Sequence, residues 1–320
     1  MNATADSKSP AEWPERAGRL ARIVAQGRLA ADFPLLKVLR PPAAIAARLE
    51  NAVAAYLWHT LARAYPDRIF RLETDGIAAH AREILALPNR TPNGVVLARA
   101  DTFHAFNLVH QALADAMEAA GLLAHFRLIQ VPCNVRVIGG EADPGAEGRN
   151  YSSSKIHTDL WNGEPISSIL FNIPVLGDPK AVDLRFFEPR AFPSELRGPL
   201  RDYILGAPVT ATAAEYPAAF ELGRIYISDA LSLHQTVKRG PGLRVSLDFR
   251  AIARDLLPGE TADPGASRAV YVSPERWRAA GRSVILGSGE PLDAFQRRRA
   301  GEAVPREALS ILDIDDAPLE

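Results

Sequence analysis

A single cysteine, Cys133, in 320 residues has no second cysteine to pair with. That excludes an internal disulfide framework and a cysteine-built zinc site, and the residue reads as a small buried hydrophobe. Long apolar runs are also missing. The most apolar helix-like stretch, Ala52 to Trp58, lies between Glu50 and His59, far short of the roughly 20 apolar residues a membrane-spanning helix needs. Nor is there an excess of charge of either sign. The 37 Lys and Arg against 38 Asp and Glu leave a net charge of −1, without the basic surplus of a protein that tracks nucleic-acid phosphates. The start, Met1 to Pro10, is polar and lacks the basic-then-apolar layout of a signal peptide. A cytoplasmic protein is expected, with no nucleic-acid or membrane partner. The Asn-x-Ser/Thr triplets at Asn2, Asn89 and Asn150 are then chance occurrences.

What is present is a globular composition, 47% hydrophobic and 23% charged, whose character changes partway along the chain. Apolar positions Leu20, Ile23, Val24 and Leu29 predict an amphipathic helix over 15–29. Pro41-Pro42 suits the start of a second helix from Ala43 to Ala64. A short helix is predicted over 77–85, a strand over 95–98, and a long helix capped by Asp101 or Thr102 and closed by Gly121. Phe126 to Ile138 is β-like. Short strands are then predicted over 166–175, 184–187, 209–212, 225–228, 233–237 and 243–252, and a last helix over 274–280. Many short strands between turns argue for an antiparallel sandwich or barrel. One domain is expected: a mainly helical portion over 1–125, a β core over 126–255 and an extension over 256–320. The Arg297-Arg298-Arg299 run reads as a solvated helix face, Leu286 to Glu290 as a turn, and the acidic end from Asp313 as a solvated tail.

The chemistry concentrates in three places. His157-Thr158-Asp159 is the only His-x-Asp in the chain, and residues two apart on a strand share a face, so both side chains can chelate one ion. His234 supplies a third ligand from a distant strand. Two histidines and one carboxylate on one side of a metal leave its other positions open, as catalytic sites require. With seven histidines in the chain, chance alone gives His-x-Asp about 0.4 times, so the motif gains weight only from its downstream partners. Ten residues after His234 comes Arg244, then Ser246, on a segment where Leu243, Val245, Leu247 and Phe249 alternate with Arg244, Ser246, Asp248 and Arg250. If the polar face lines a cavity, Arg244 can hold a carboxylate in a bidentate contact while Ser246 donates to the same group.

The set His157-x-Asp159, His234, Arg244-x-Ser246 resembles the Fe(II)/2-oxoglutarate-dependent dioxygenases. Within them it is most similar to the phytanoyl-CoA-dioxygenase-like branch, with His157-Thr158-Asp159-Leu160-Trp161 followed by Gly163-Glu164-Pro165 as a variant of the first motif. The resemblance spans about 134–251 and does not reach the helical N-terminal third. It implies a double-stranded β-helix (a jelly roll, cupin-like) with helices packed outside. It implies Fe(II) on His157, Asp159 and His234, and 2-oxoglutarate held by Arg244 and Ser246. The implied reaction consumes O2 and releases succinate and CO2 while hydroxylating a C–H bond of a small-molecule substrate. Related halogenases lack the metal-binding carboxylate, so Asp159 favours hydroxylation, with desaturation or ring formation as variants. Two alternatives stand beside it: a non-catalytic jelly-roll binding protein with a vestigial metal site, and a cupin-type metal enzyme that does not use 2-oxoglutarate.

Further candidates are weaker. Trp161 is a pocket wall or a packed core residue. Asn134 and Arg136 share a strand face and reach a substrate or form a structural ion pair. Asn172, within an apolar run, must find polar partners and is a candidate for the pocket. Lys155 is expected to be exposed, Asp229 is expected in a turn, and the loop 139–150 is a lid or a plain surface loop. His104 and His110, six apart on a helix, fall on different faces and are not expected to form a metal pair. Oligomeric state and substrate are not readable.

Overall fold

The computed structural model describes residues 12–25, 27–71, 76–99, 101–141, 145, 148–265, 267 and 269–280. The expected features at 286–290, 296–299 and 313–320, and part of the 139–150 loop, lie outside these residues.

Eleven strands and six α-helices are found among the described residues. The chain begins with α1 (Trp13–Ile23), a hairpin of β1 (Leu29–Phe33) and β2 (Leu36–Leu39), then α2 (Ala43–Ala64), α3 (Ala81–Leu85) and α4 (Phe103–Ala119). The strands β3 (Phe126–Val131), β4 (Asn134–Gly139), β5 (Ser168–Gly177) and β6 (Val182–Glu188) come next, then α5 (Ala207–Thr210) and β7 (Ala214–Glu215). The described chain closes with β8 (Ile225–Asp229), β9 (Leu233–Lys238), β10 (Leu243–Ala253), β11 (Val270–Val272) and α6 (Pro274–Ala279). Helix α2 has the bounds expected from Pro41-Pro42 and the apolar pattern. Thr102 occupies the N-cap position of α4, but its hydroxyl accepts the Arg99 N–H instead of capping the helix.

The strands divide between a large sheet, ordered β1-β2-β8-β5-β10-β3-β11 with β4 also on β10, and a small sheet ordered β7-β6-β9. The backbone at His157 pairs with His234, each N–H donating to the other's carbonyl (3.0 and 2.8 Å), which adds a short fourth strand beside β9. From β4 onward the chain therefore runs large, small, large, small, small, large, small, large. This alternation is a double-stranded β-helix, the jelly roll the family resemblance implied, and all its pairings are antiparallel. The β1–β2 hairpin, β3 and β11 widen the large sheet beyond that core.

The alternation of β10 sets the layering. Leu243, Val245, Leu247 and Phe249 are buried in one apolar cluster with Leu57 and Leu61 of α2 and Val109 and Leu113 of α4. The helices thus cover the outer face of the large sheet. Arg244, Ser246, Asp248 and Arg250 face the space between the two sheets, where a cavity lies.

Several local expectations are corrected. Residues 126–138 are extended as expected but divide into two strands, because Pro132, which has no N–H for a ladder, separates β3 from β4. Residues 209–212 are not a strand: Pro208 enters the first turn of α5, a position it favours. Residues 95–98 make only isolated bridges, Val95 to Arg136 and Val96 to Arg90. The first helix stops at Ile23, and Leu29, expected at its end, opens a strand instead.

Candidate metal centre

His157, Asp159 and His234 each offer a donor atom, and the three lie within 4.8 Å of one another. His157 sits on the extended backbone paired to β9, but Asp159 is not on that strand. Extended geometry ends at Thr158, whose side chain accepts the Leu160 N–H and starts a 3₁₀ turn over Asp159–Asn162. Gly163, at φ 97°, takes the left-handed conformation that closes this turn. The Thr158 hydroxyl also donates to the Ala230 carbonyl (2.5 Å), tying the turn to the loop that leads into His234.

The protonation states suit metal binding, because imidazole binds a metal only when neutral. Burial lowers the His157 pKa to about 3, aided by the neighbouring His234. Burial also lowers that of His234. The His157 Nδ1–H donates to the Lys155 carbonyl at 2.8 Å, which fixes the ring and leaves Nε2 as the free donor. Tyr203 stacks on that ring, centroids 4.3 Å apart and planes within 11°. Burial alone would raise the Asp159 pKa, but Arg250 and the two histidines hold it well below the usual carboxylate range.

Arg244 lines the same cavity as these three candidate donors, together with Ser246 and Thr236. Its side chain crosses from the large sheet to the small one, donating from Nη1 to the Val182 carbonyl (2.9 Å) and lying 4.9 Å from the centre of the Phe220 ring. The side chain is 2% exposed, yet it forms no ion pair with any described carboxylate, and its Nε has no hydrogen-bond partner among the described residues. Burial and the proximity of Arg136 push its pKa down to about 10, so it stays charged at neutral pH. A buried cation without a counter-ion is costly, and a carboxylate ligand would complete it.

The other arginines in the cavity are already engaged. Arg136 donates from Nε and Nη2 to the two oxygens of Asp248 (2.6 and 3.0 Å) and from Nη1 to the Asn93 carbonyl (2.7 Å). Asn134 donates to the same Asp248 (2.8 Å) and is not among the cavity-lining residues. Arg250 is bound to Asp159. Asn172 lines the cavity.

Trp161 does not reach the cavity. Fully buried, it donates to the Leu196 carbonyl (2.9 Å) and packs against Phe192 and Tyr203, with Gly206 close beneath its ring. Lys155 is paired with Asp202 at 2.9 Å. Asp229 does precede a turn but is fully buried between Arg16 and Arg19. Sequence reading gave no role to Tyr203, Thr236 or Arg250. The first two carry no motif, and Arg250 stood in view on the polar face of β10.

No protein-family model matches this chain, and neither does any curated protein. Solved structures do resemble it. The non-heme alpha ketoglutarate dependent epimerase SnoN from nogalamycin biosynthesis aligns over 79% of this chain and 95% of its own, at 15% identity and a TM-score of 0.34. The non-heme alpha ketoglutarate dependent carbocyclase SnoK, also from nogalamycin biosynthesis, aligns over 67% and 95%, at 13% identity and a TM-score of 0.37. EctD from S. alaskensis, in a structure with bound Fe, aligns over 79% of each chain, at 15% identity and a TM-score of 0.35. At these levels of similarity, function has to be read from the site itself.

Proposed function

We propose that this chain is an Fe(II)/2-oxoglutarate-dependent oxygenase that hydroxylates an unactivated C–H bond of a small molecule. The observation that carries the reading is Arg244, a buried guanidinium without a carboxylate partner among the described residues, in the cavity that also holds His157, Asp159 and His234. A metal site alone would suit many enzymes. A dicarboxylate that chelates the metal at one end and needs a cation at the other accounts for both features at once.

In this reading His157, Asp159 and His234 hold Fe(II), and Arg244 with Ser246 holds the distal carboxylate of 2-oxoglutarate. The bound iron supplies oxidative decarboxylation of 2-oxoglutarate with O2, giving succinate and CO2. The protein contributes neutral imidazoles, an ionised carboxylate and a walled cavity. Tyr203 keeps the His157 ring in place, and Trp161 supports Tyr203 from behind. Asn172 offers a polar contact within the cavity, whereas Arg136 and Asn134 are committed to Asp248 and serve to shape the wall. We place the enzyme in the cytoplasm, acting on a small molecule and not on nucleic acid or membrane. No helix among the described residues is long and apolar enough to cross a membrane.

The test is succinate release from 2-oxoglutarate in the presence of Fe(II) and O2. H157A and D159A are each expected to abolish it, because each removes one of three protein ligands. Full succinate release by H157A would refute the assignment.

A further inference from the structure

The polar face of β10 carries a second arginine that the proposed reaction leaves unused. Arg250 donates to Asp159 Oδ2 from Nε at 2.6 Å, and its Nη2 is ion-paired with the same oxygen. A guanidinium fork more often meets both oxygens of a carboxylate, one donor to each. Here both nitrogens lie against one oxygen. The other, Oδ1, is left facing His234 Nε2 at 3.6 Å, on the side where the three donors meet. Gln130 of β3 sets the roll of the guanidinium. Its Oε1 accepts Arg250 Nη1 at 3.3 Å and the Arg250 backbone N–H at 3.1 Å.

We propose that Gln130 and Arg250 form a clamp that makes Asp159 a one-oxygen metal ligand and so reserves a coordination position for the co-substrate. The clamp rests on the metal site proposed above. A carboxylate can bind a metal through one oxygen or both. Oδ2, already accepting the Nε hydrogen bond and ion-paired with Nη2, has little capacity left for a metal, whereas Oδ1 keeps its own. The coordination count makes the difference matter. Three protein donors in an octahedron leave three positions, two for a chelating 2-oxoglutarate and one for O2. A second oxygen from Asp159 would occupy one of them. Arg250 is thus a positioning residue that acts through Asp159.

Its removal should damage co-substrate binding more than metal binding. The Arg250 charge repels a divalent cation, so its loss offsets part of any misplacement of Asp159. Co(II) serves as the probe metal: its affinity is read by competition with a chromophoric chelator, and 2-oxoglutarate binding to the Co(II)-loaded protein is read by calorimetry. R250Q is expected to keep Co(II) affinity within about threefold of wild type while 2-oxoglutarate affinity falls about tenfold or more, the scale on which partners of metal ligands act. R250K, which keeps the charge but not the paired donors, should lie between the two and serves if R250Q does not fold. Q130L, with no group near the metal, should show the same defect at smaller size. R250Q indistinguishable from wild type in 2-oxoglutarate binding would overturn the clamp alone. So would equal losses of metal and co-substrate affinity accompanied by a lower melting temperature, the mark of a merely structural role. Wild-type protein that binds neither Co(II) nor 2-oxoglutarate would overturn the function as well.

Discussion

Three histidines, His110, His157 and His234, are held below the usual histidine pKa mainly by desolvation. At His110 the ring also meets the Trp277 carbonyl at 2.7 Å and packs against the Trp277 indole. Each is neutral when folded and takes up a proton more readily when unfolded. Between the folded and unfolded pKa the unfolded state therefore binds more protons, so stability rises with pH and is lost as pH falls below about 6.5. The metal-free protein should melt at a lower temperature at pH 5.5 than at pH 7.5, with a slope of up to about 1.4 kcal/mol per pH unit for each histidine. H110Q should narrow the difference. A melting temperature that stays flat over this range in wild-type protein would contradict the account. At this scale the sequence is legible where a motif has fixed spacing. His157, Asp159, His234, Arg244 and Ser246 stand out as one set through the family they resemble, and they line one cavity. Tyr203 does not, because a ring that stacks on His157 from a separate 3₁₀ turn leaves no periodic trace. Trp161 is ambiguous in sequence because an aromatic after a ligand motif reads equally well as wall or as core.

Helix α1 shows why elements are harder to read than residues. Its apolar stripe reveals the helix, but not what anchors it. Arg16 and Arg19, on successive turns, form ion pairs with Asp229 (2.9 and 3.0 Å) at the end of β8, and both also pair with Glu260. All four side chains are at most 3% exposed. Two cations and two anions balance, and the cluster fixes α1 to the loop that delivers His234. Nothing in Ser228-Asp229-Ala230 announces this, since partners hundreds of residues away do not appear in a local window. D229A removes one anion from between two buried cations and should lower the free energy of unfolding by about 3–5 kcal/mol, read from the denaturant midpoint at constant slope. A loss below about 1 kcal/mol, the scale of exposed ion pairs, would mean that the cluster is solvated. Strand β10 is the opposite case. Its unbroken alternation predicts both the strand and its two faces, because one face packs on helices while the other meets a polar cavity. The β1–β2 hairpin is invisible in sequence, being short, half-exposed at β1 and lacking the turn residues that mark a tight hairpin.

For the whole molecule, the jelly-roll core arises from many short strands, and the alternation between two sheets brings residues 157, 159, 234 and 244 to one chamber. The helical third contributes apolar cover to the outer face of the large sheet, and its sequence carries no motif because packing asks only for apolar residues at helical spacing. The central claim is that this chamber takes a metal and a dicarboxylate together. Fe(II) and 2-oxoglutarate added without O2 should give a weak visible absorption band at about 500 nm, the signature of iron chelated by the 2-oxo acid. R244A should need about a hundredfold more 2-oxoglutarate to reach the same intensity, in line with losing one buried charge-assisted contact worth about 3 kcal/mol. A wild-type protein that gives no band, or an R244A titration that overlays the wild-type one, would contradict the account.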